Sequence, residues 1–114
     1  MKVKDIANTL KAKIMNGDNY INHDVEYAFA SDLMSDVLTL QSDNVLLITG
    51  LSNLQAIRTA EMSDISVVII ARNKKVNPDM ISLANENNIV LLESEYSMYR
   101  VAGELYKAGI KPVY

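Results

Sequence analysis

Apolar residues in this chain fall into short unbroken runs separated by segments with helical periodicity. Three runs are almost wholly apolar: Val45–Thr49, residues 66–71 and residues 89–92, and they begin about 22 residues apart. A strand that is apolar on both faces belongs in a mostly parallel sheet covered by helices on each side. Each gap has room for one helix, which gives right-handed crossover connections. The pattern therefore predicts one α/β domain, residues 1–114.

The segments around these runs predict five helices and one further strand. Asn77 with Pro78, and Ser97, are typical helix starts, and Ser52 with Gln55 forms a capping box. Gly109 is typical of a helix end. A turn is predicted at Gly17-Asp18-Asn19, with short strand pieces beside it at Met15 and Ile21. The predicted helices are 4–14, 32–40, 52–62, 77–87 and 97–109, and the further strand is 25–30.

Composition excludes several classes of function. The net charge is −3 and Lys and Arg are not clustered, which argues against nucleic acid and anionic membrane as partners. The chain has no cysteine and one histidine, so thiolate chemistry and a zinc site are not expected. The start of the chain is polar and the apolar runs are short. These features predict a soluble cytoplasmic protein without a cofactor.

The polar residues at the ends of the predicted strands are candidate ligand-binding residues. In an open parallel sheet, ligands bind at the carboxyl ends of the strands, and a helix N-terminus there favours an anion. Arg72 would supply positive charge, and Asp32 would bind a ribose or base. Helix capping alone would also explain the serines and Asp32. The predicted site comprises Ser31, Asp32, Thr49, Ser52, Asn53 and Arg72.

The sequence lacks the usual signatures of catalysis. It has no phosphate-binding loop, no paired-glycine nucleotide motif and no nucleophile elbow. Asp32 and Asp36, with Ser35 between them, would share a helix face and could hold Mg²⁺ in a small hydrolase or transferase. A solvated helix start is the alternative explanation. His23 is interpreted as a surface residue rather than a general base, and the chain is expected not to be an enzyme.

Tyrosine is unusually frequent near the last predicted helix. The chain has six tyrosines and one phenylalanine, and Tyr99 and Tyr106 lie seven residues apart on one stripe, with Tyr96 nearby. Tyrosine both packs and donates hydrogen bonds, which suits a subunit contact. These rings complete either the core or an interface. A symmetric homodimer is the expected assembly.

Three separated segments resemble the DRTGG domain family, in the order found there. They are MKVKDIANTL at the start, YAFASDLMSDVL at 27–38 and SEYSMYRVAGELYKAGI at 94–110. The name-giving Asp-Arg-Thr-Gly-Gly motif would map within residues 22–28, where the arginine and the glycine pair are absent. A ligand that needs close backbone approach at those glycines would not bind in the same way.

The resemblance implies a fold and a role. The fold is a three-layer sandwich, like the N-terminal domains of HPr kinase/phosphorylase and Mur ligases. The role is that of a regulatory module, as in long phosphate acetyltransferases and CBS-containing pyrophosphatases. Together with the candidate site, this predicts a non-catalytic module that binds a small anionic effector, either a nucleotide or a phosphorylated metabolite. The alternative is a protein-interaction module that docks a partner enzyme.

Overall fold

The computed structural model describes residues 1–17 and 20–114. A six-stranded sheet crosses the molecule in the order β1-β5-β4-β3-β2-β6. All neighbouring strands are parallel except β1, which pairs antiparallel with β5. The predicted mostly parallel α/β fold is confirmed. The strands are β1 Lys13–Ile14, β2 Tyr27–Ala30, β3 Val45–Thr49, β4 Val67–Ile70, β5 Val90–Glu93 and β6 Lys111–Pro112.

Five helices cover the two faces of the sheet. They are α1 Val3–Leu10, α2 Met34–Val37, α3 Leu54–Met62, α4 Pro78–Glu86 and α5 Met98–Lys107. Helices α1 and α5 pack on one face, and α2, α3 and α4 pack on the other. The chain moves from β2 to β5 in one direction and then returns across the sheet to β6. Right-handed crossovers in opposite directions place α5 on the opposite face from α2, α3 and α4.

The core consists of two apolar layers, one on each face of the sheet. Alternate strand residues point to opposite faces, so Leu46 and Ile48 pack toward α1 and α5, whereas Val45 and Leu47 pack toward the other helices. Every residue of β3 is buried, which explains why its sequence is an unbroken apolar run. Among the described residues, no helix is long and apolar enough to span a membrane.

The first helix is shorter than predicted. It ends at Leu10 because Lys11 adopts a left-handed conformation with φ of 49°. Ile14, which continued the helical spacing in the sequence, instead lies in β1 beside Leu92 of β5. Met15 and Ile21 are not in strands, and Asp18 and Asn19 of the predicted turn lie outside the described residues.

The second helix is also shorter, with one turn instead of the nine residues predicted. Helix α2 begins at Met34, so Asp32 precedes it and the predicted helix face shared by Asp32 and Asp36 is wrong. The capping box at Ser52 is wrong as well, because Asn53 caps α3 by accepting from the amide of Ala56 at 3.1 Å.

The other helix boundaries follow the sequence closely. Asn77 caps α4 with Pro78 in its first turn, and Ser97 caps α5. Gly109, just beyond α5, has φ of 103°, a conformation that favours glycine.

Candidate functional site

The polar loops that follow β2, β3, β4 and β5 meet at the carboxyl edge of the sheet. After β4 the chain turns to α4 on one face, and after neighbouring β5 it turns to α5 on the other face. Adjacent strands whose helices diverge in this way form the crevice where ligands bind in open α/β sheets. The loops that carry the candidate residues therefore border a favoured ligand position.

The carboxylate of Asp32 joins the loops after β2 and β3. Its Oδ1 accepts from the hydroxyl of Thr49 at 2.8 Å and from the amide of Gly50 at 2.7 Å. The Thr49 side chain is fully buried, and its oxygen also accepts from the amide of Leu51 at 3.1 Å. Thr49 therefore positions Asp32 and the Gly50 loop and is not itself exposed to a ligand.

Arg72 adds the loop after β4 to the same network. Its Nη1 lies 3.5 Å from Oδ2 of Asp32, and about half of each side chain is exposed, 49% and 43%. A guanidinium has five N–H donors, so this single contact leaves most of them available to an anion. A pair this exposed contributes only about 0–1 kcal/mol to stability, which leaves Arg72 able to exchange partners.

The backbone of Arg72 is held in an uncommon conformation. Arg72 and Asn73 have φ of 64° and 58°. For a residue such as arginine this conformation costs about 1–2 kcal/mol, whereas asparagine adopts it more readily. The loop after β5 fixes both residues, because the amide of Arg72 donates to the carbonyl of Tyr96 at 2.8 Å and that of Asn73 to Ser94 at 3.1 Å. The amide of Lys74 also donates to the carbonyl of Ala71 at 3.3 Å, so residues 71–74 form a tight turn of the type that places both central residues in this conformation.

Gly50 lets the Arg72 side chain lie against the end of β3. A Cβ atom at Gly50 would lie 2.7 Å from Cδ and 2.9 Å from Nη1 of Arg72, closer than van der Waals contact allows. The absence of a side chain at this position therefore determines where the guanidinium rests. Gly50 is the clearest residue that the sequence prediction missed. The sequence does carry an indication of this role, because Gly50 directly follows the apolar run of β3.

The remaining predicted residues lie in the same loops, with their side chains engaged locally. Ser31 accepts from the amide of Leu33 at 3.0 Å, as in a tight turn. Ser52 donates to the carbonyl of Lys75, which joins the loops after β3 and β4. Asn53 is occupied by capping α3. The structure thus brings Asp32, Thr49 and Arg72 into one network, with the other three as framework around it.

The surroundings of Asp32 do not favour a metal site shared with Asp36. Both oxygens of Asp32 already have partners, and one of these partners is cationic. Within residues 1–17 and 20–114, no group of three or more His, Asp or Glu side chains is placed to hold a metal ion.

His23 is better connected than the sequence suggested. Its Nε2 lies 3.2 Å from the hydroxyl of Ser66, in a pocket also lined by Tyr20 and Asn88. Ser66 directly precedes β4, so this pair lies at the amino edge of the sheet, opposite the candidate site. His23 is therefore a half-buried residue with a hydrogen-bond partner, and it lies far from the candidate site.

These features define a three-layer, doubly wound α/β domain with a polar network at its carboxyl edge. A family model of the DRTGG domain matches residues 5–108. The chain belongs to the DRTGG domain family, as the three sequence segments predicted. No curated protein matches the sequence significantly.

One solved structure with a similar fold is the CBS and DRTGG domains of the regulatory region of Clostridium perfringens pyrophosphatase, complexed with the activator diadenosine tetraphosphate. The TM-score is 0.73, with 14% sequence identity over 91% of this chain. This chain spans 45% of that one, so the likeness concerns one part of a longer chain. At this identity the comparison establishes the shared fold.

Proposed function

We propose that this domain is a non-catalytic regulatory module that binds a small anionic effector, a nucleotide or a phosphorylated metabolite, at the carboxyl edge of the sheet. In this proposal Arg72 contacts the anion, and Asp32 positions Arg72 and accepts a hydrogen bond from a ribose or base. Ser31, Thr49, Ser52 and Asn53 shape the loops around them. We expect this module to act in the cytoplasm.

The observation that carries the proposal is the pose of Arg72. Its backbone is strained, its amide is held by Tyr96, and its side chain lies across Gly50 with about half of its surface exposed. A purely structural arginine would gain more from burial or from a bidentate carboxylate partner. Here Asp32 contacts it at 3.5 Å, which is long for a charge-assisted hydrogen bond. An incoming phosphate could make shorter, forked contacts with the same guanidinium.

A second observation supports an anion at this edge. The amides of Leu54 and Gln55, at the start of α3, donate to no protein group within the described part of the chain. Free amides at a helix start favour negative charge. The pyrophosphatase relative supports a nucleotide in particular, because its regulatory region was solved with diadenosine tetraphosphate.

A thermal-shift screen tests the proposal. The full chain is heated with AMP, ADP, ATP, diadenosine tetraphosphate and sugar phosphates at constant ionic strength. A ligand present at 100 times its dissociation constant should stabilise the fold by about 2.7 kcal/mol, several degrees for a domain of this size. Arg72→Gln should abolish the shift, because it removes the charge while keeping a long polar side chain.

Arg58→Ala is the matched control. Arg58 lies on the exposed side of α3 and makes no ion pair among the described residues, so its loss changes the net charge equally. The ligand should raise the melting temperature of Arg58→Ala by the same amount as that of the wild type. If the ligand still stabilises Arg72→Gln, it binds at another site. A complete lack of stabilisation would favour the interaction module instead.

The same samples separate the proposal from the enzymatic alternative. A Mg²⁺-dependent hydrolase or transferase built on Asp32 and Asp36 should be stabilised by Mg²⁺ alone. The regulatory module should not respond to the metal in the absence of a nucleotide, and should leave the nucleotide chemically unchanged. Turnover that is lost in Asp32→Ala would contradict the non-catalytic assignment.

An exposed aromatic surface favours self-association as a second role. Tyr99 and Tyr106 are 90% and 69% exposed, so these two rings do not complete the core, whereas Tyr96 packs against it. Tyr106 borders an apolar groove between α5 and the last two strands of the sheet, β2 and the edge strand β6, and the groove is lined by alanines, Ile110 and Pro112. Exposed aromatic residues beside an apolar groove are typical of protein interfaces. We propose a second copy of this chain as the default partner.

Sedimentation velocity tests this second role. The wild type should sediment as a dimer at roughly tens of micromolar, where stable dimers remain associated. Replacing Tyr99 and Tyr106 together by serine should shift it to the monomer without lowering its melting temperature, because neither ring is buried. A wild-type monomer at this concentration would contradict the homodimer and leave docking to a partner enzyme as the role of the groove.

A further inference from the structure

A second cluster of basic side chains lies at the carboxyl end of β5. Lys11, Lys13 and Lys75 line one cleft together with Glu93, Ser94 and Glu95. They come from three parts of the chain: the end of α1, the start of β1, and the loop after β4. Lys13 is brought there by the antiparallel pairing of β1, in which it lies opposite Glu93.

The two acidic residues of this cleft, Glu93 and Glu95, offset two of its three positive charges and leave a net charge of about +1. Glu93 is nearly buried, accepts from the amide of Val76 at 2.7 Å and lies 3.9 Å from Nζ of Lys75. Lys11 and Lys13 form no ion pair within the described residues and are both exposed. Lys11 and Lys13 therefore face the cleft outside ion-pair distance of a carboxylate, although Glu93 is the cross-strand neighbour of Lys13.

Charge is unevenly distributed over the whole domain. The loops at the carboxyl edge, taken with the adjoining ends of β1 and β5, carry five basic side chains and three carboxylates. The rest of the chain carries six basic and eleven acidic residues. The first turns of α2, α4 and α5 at the same edge add Asp36, Asp79 and Arg100, so the edge as a whole carries a small positive excess, which favours anions there. The residues of the loops and strand ends are Lys11, Lys13, Arg72, Lys74 and Lys75, with Asp32, Glu93 and Glu95.

The cleft is continuous with the Arg72 site. The amide of Asn73 donates to the carbonyl of Ser94, which lines the cleft, and Lys75 lies three residues after Arg72. Gly50, under the guanidinium, follows β3, whereas Lys13 begins β1. These two strands are three positions apart in the sheet, about 14 Å. The backbone positions that carry the two ends of the path are therefore farther apart than the width of one phosphate group.

We infer that the effector is an elongated polyphosphate, with Arg72 contacting one end of the phosphate chain and Lys11, Lys13 and Lys75 contacting the other. This inference rests on the proposed function and specifies its ligand class: nucleotides or other molecules with three or more consecutive phosphates. A monophosphate reaches only one part of the path and binds more weakly.

Calorimetric titration of the full chain with ATP, AMP, inorganic tripolyphosphate and orthophosphate at constant ionic strength tests the inference. The wild type should prefer ATP over AMP, and tripolyphosphate over orthophosphate, by about tenfold or more, the effect of two or three partly exposed charge contacts. The double variant Lys11→Ala/Lys13→Ala should reduce both preferences to about twofold. Both residues are exposed, so the variant should fold normally.

The control is Lys4→Ala/Lys107→Ala, which removes the same charge from exposed positions near the start of α1 and the end of α5. Both positions lie at the amino edge of the sheet, so the control should keep the wild-type preferences. If both double variants lose these preferences to the same extent, the preferences depend only on net charge, and the inference is overturned.

The outcomes distinguish this inference from the proposed function. If AMP and ATP bind equally and Arg72→Gln abolishes both, the Arg72 site stands and the lysine cleft is refuted. If tripolyphosphate binds through the lysines while Arg72→Gln changes nothing, the cleft binds anions but the continuous site is refuted. If no phosphate compound binds, the proposed function fails, and the inference fails with it.

Discussion

Gly50→Ala is the sharpest test of the Arg72 site, because one added methyl group should remove binding without unfolding the domain. The new Cβ would lie 2.7 Å from Cδ of Arg72. The atoms in its way belong to a long and half-exposed side chain, so the arginine can rotate outward while the backbone stays in place. The amide of residue 50 still donates to Asp32 in the variant.

The expected change in stability is small because two effects oppose each other. Losing the half-exposed Arg72–Asp32 pair costs about 0–1 kcal/mol. Replacing a glycine whose φ is not in the left-handed region contributes about 0.4–1 kcal/mol in favour of the folded state, since the unfolded chain becomes less flexible. The net change should lie within about 1 kcal/mol of zero, roughly 4 °C in melting temperature.

Urea denaturation followed by circular dichroism measures the stability, and titration with the best ligand of the screen measures the affinity. Affinity should fall about as far as in Arg72→Gln, because the guanidinium no longer rests at the end of β3. Destabilisation by more than about 2 kcal/mol would mean that the arginine cannot move. Unchanged affinity in a stable variant would refute the pose of Arg72 as the anion contact.

Three further variants test other parts of the network by the same denaturation assay. Thr49→Val should lose about 1–3 kcal/mol, since it leaves the amide of Leu51 without its buried acceptor; a loss under about 0.5 kcal/mol would contradict this role. Asn53→Ala should lower the free energy of unfolding by about 1 kcal/mol and Gln55→Ala should leave it almost unchanged, because Asn53 caps α3 and Gln55 is exposed. A larger loss for Gln55→Ala than for Asn53→Ala would support the capping box instead. Arg72→Gly should keep or raise stability while abolishing binding, because φ of 64° suits glycine; a loss above about 1 kcal/mol would show that the arginine is structural.

The parts of the fold that sequence predicts well are those set by local chemistry or by burial on both faces. Strand β3 was predicted with its observed bounds, because a central parallel strand must be apolar throughout. The caps at Asn77 and Ser97 were correct because a cap depends on residues three positions away.

The parts that sequence misses depend on distant residues. Ile14 continues the spacing of α1, but pairing with β5, nearly 80 residues later, places it in a strand. Asp32 looks like the start of a helix, but its partners Gly50 and Arg72 lie 18 and 40 residues away. Rules about strand ends found the correct edge of the sheet, and only the three-dimensional arrangement shows which side chains meet there.

The predicted position of the name-giving family motif lies far from the proposed site. Residues 22–28, where the motif would map, lead into the amino end of β2, and Asp24 pairs there with Lys2 in an isolated bridge. Met1 and Val25 exchange two backbone hydrogen bonds at 2.8 Å in the same region. This segment therefore ties the start of the chain to the amino edge, whereas Arg72, Asp32 and the lysine cleft occupy the carboxyl edge. Because the two regions lie at opposite ends of the parallel strands, a motif at residues 22–28 would contribute no contact to the proposed site. Anion binding in this chain should therefore depend on Arg72 and be independent of the motif.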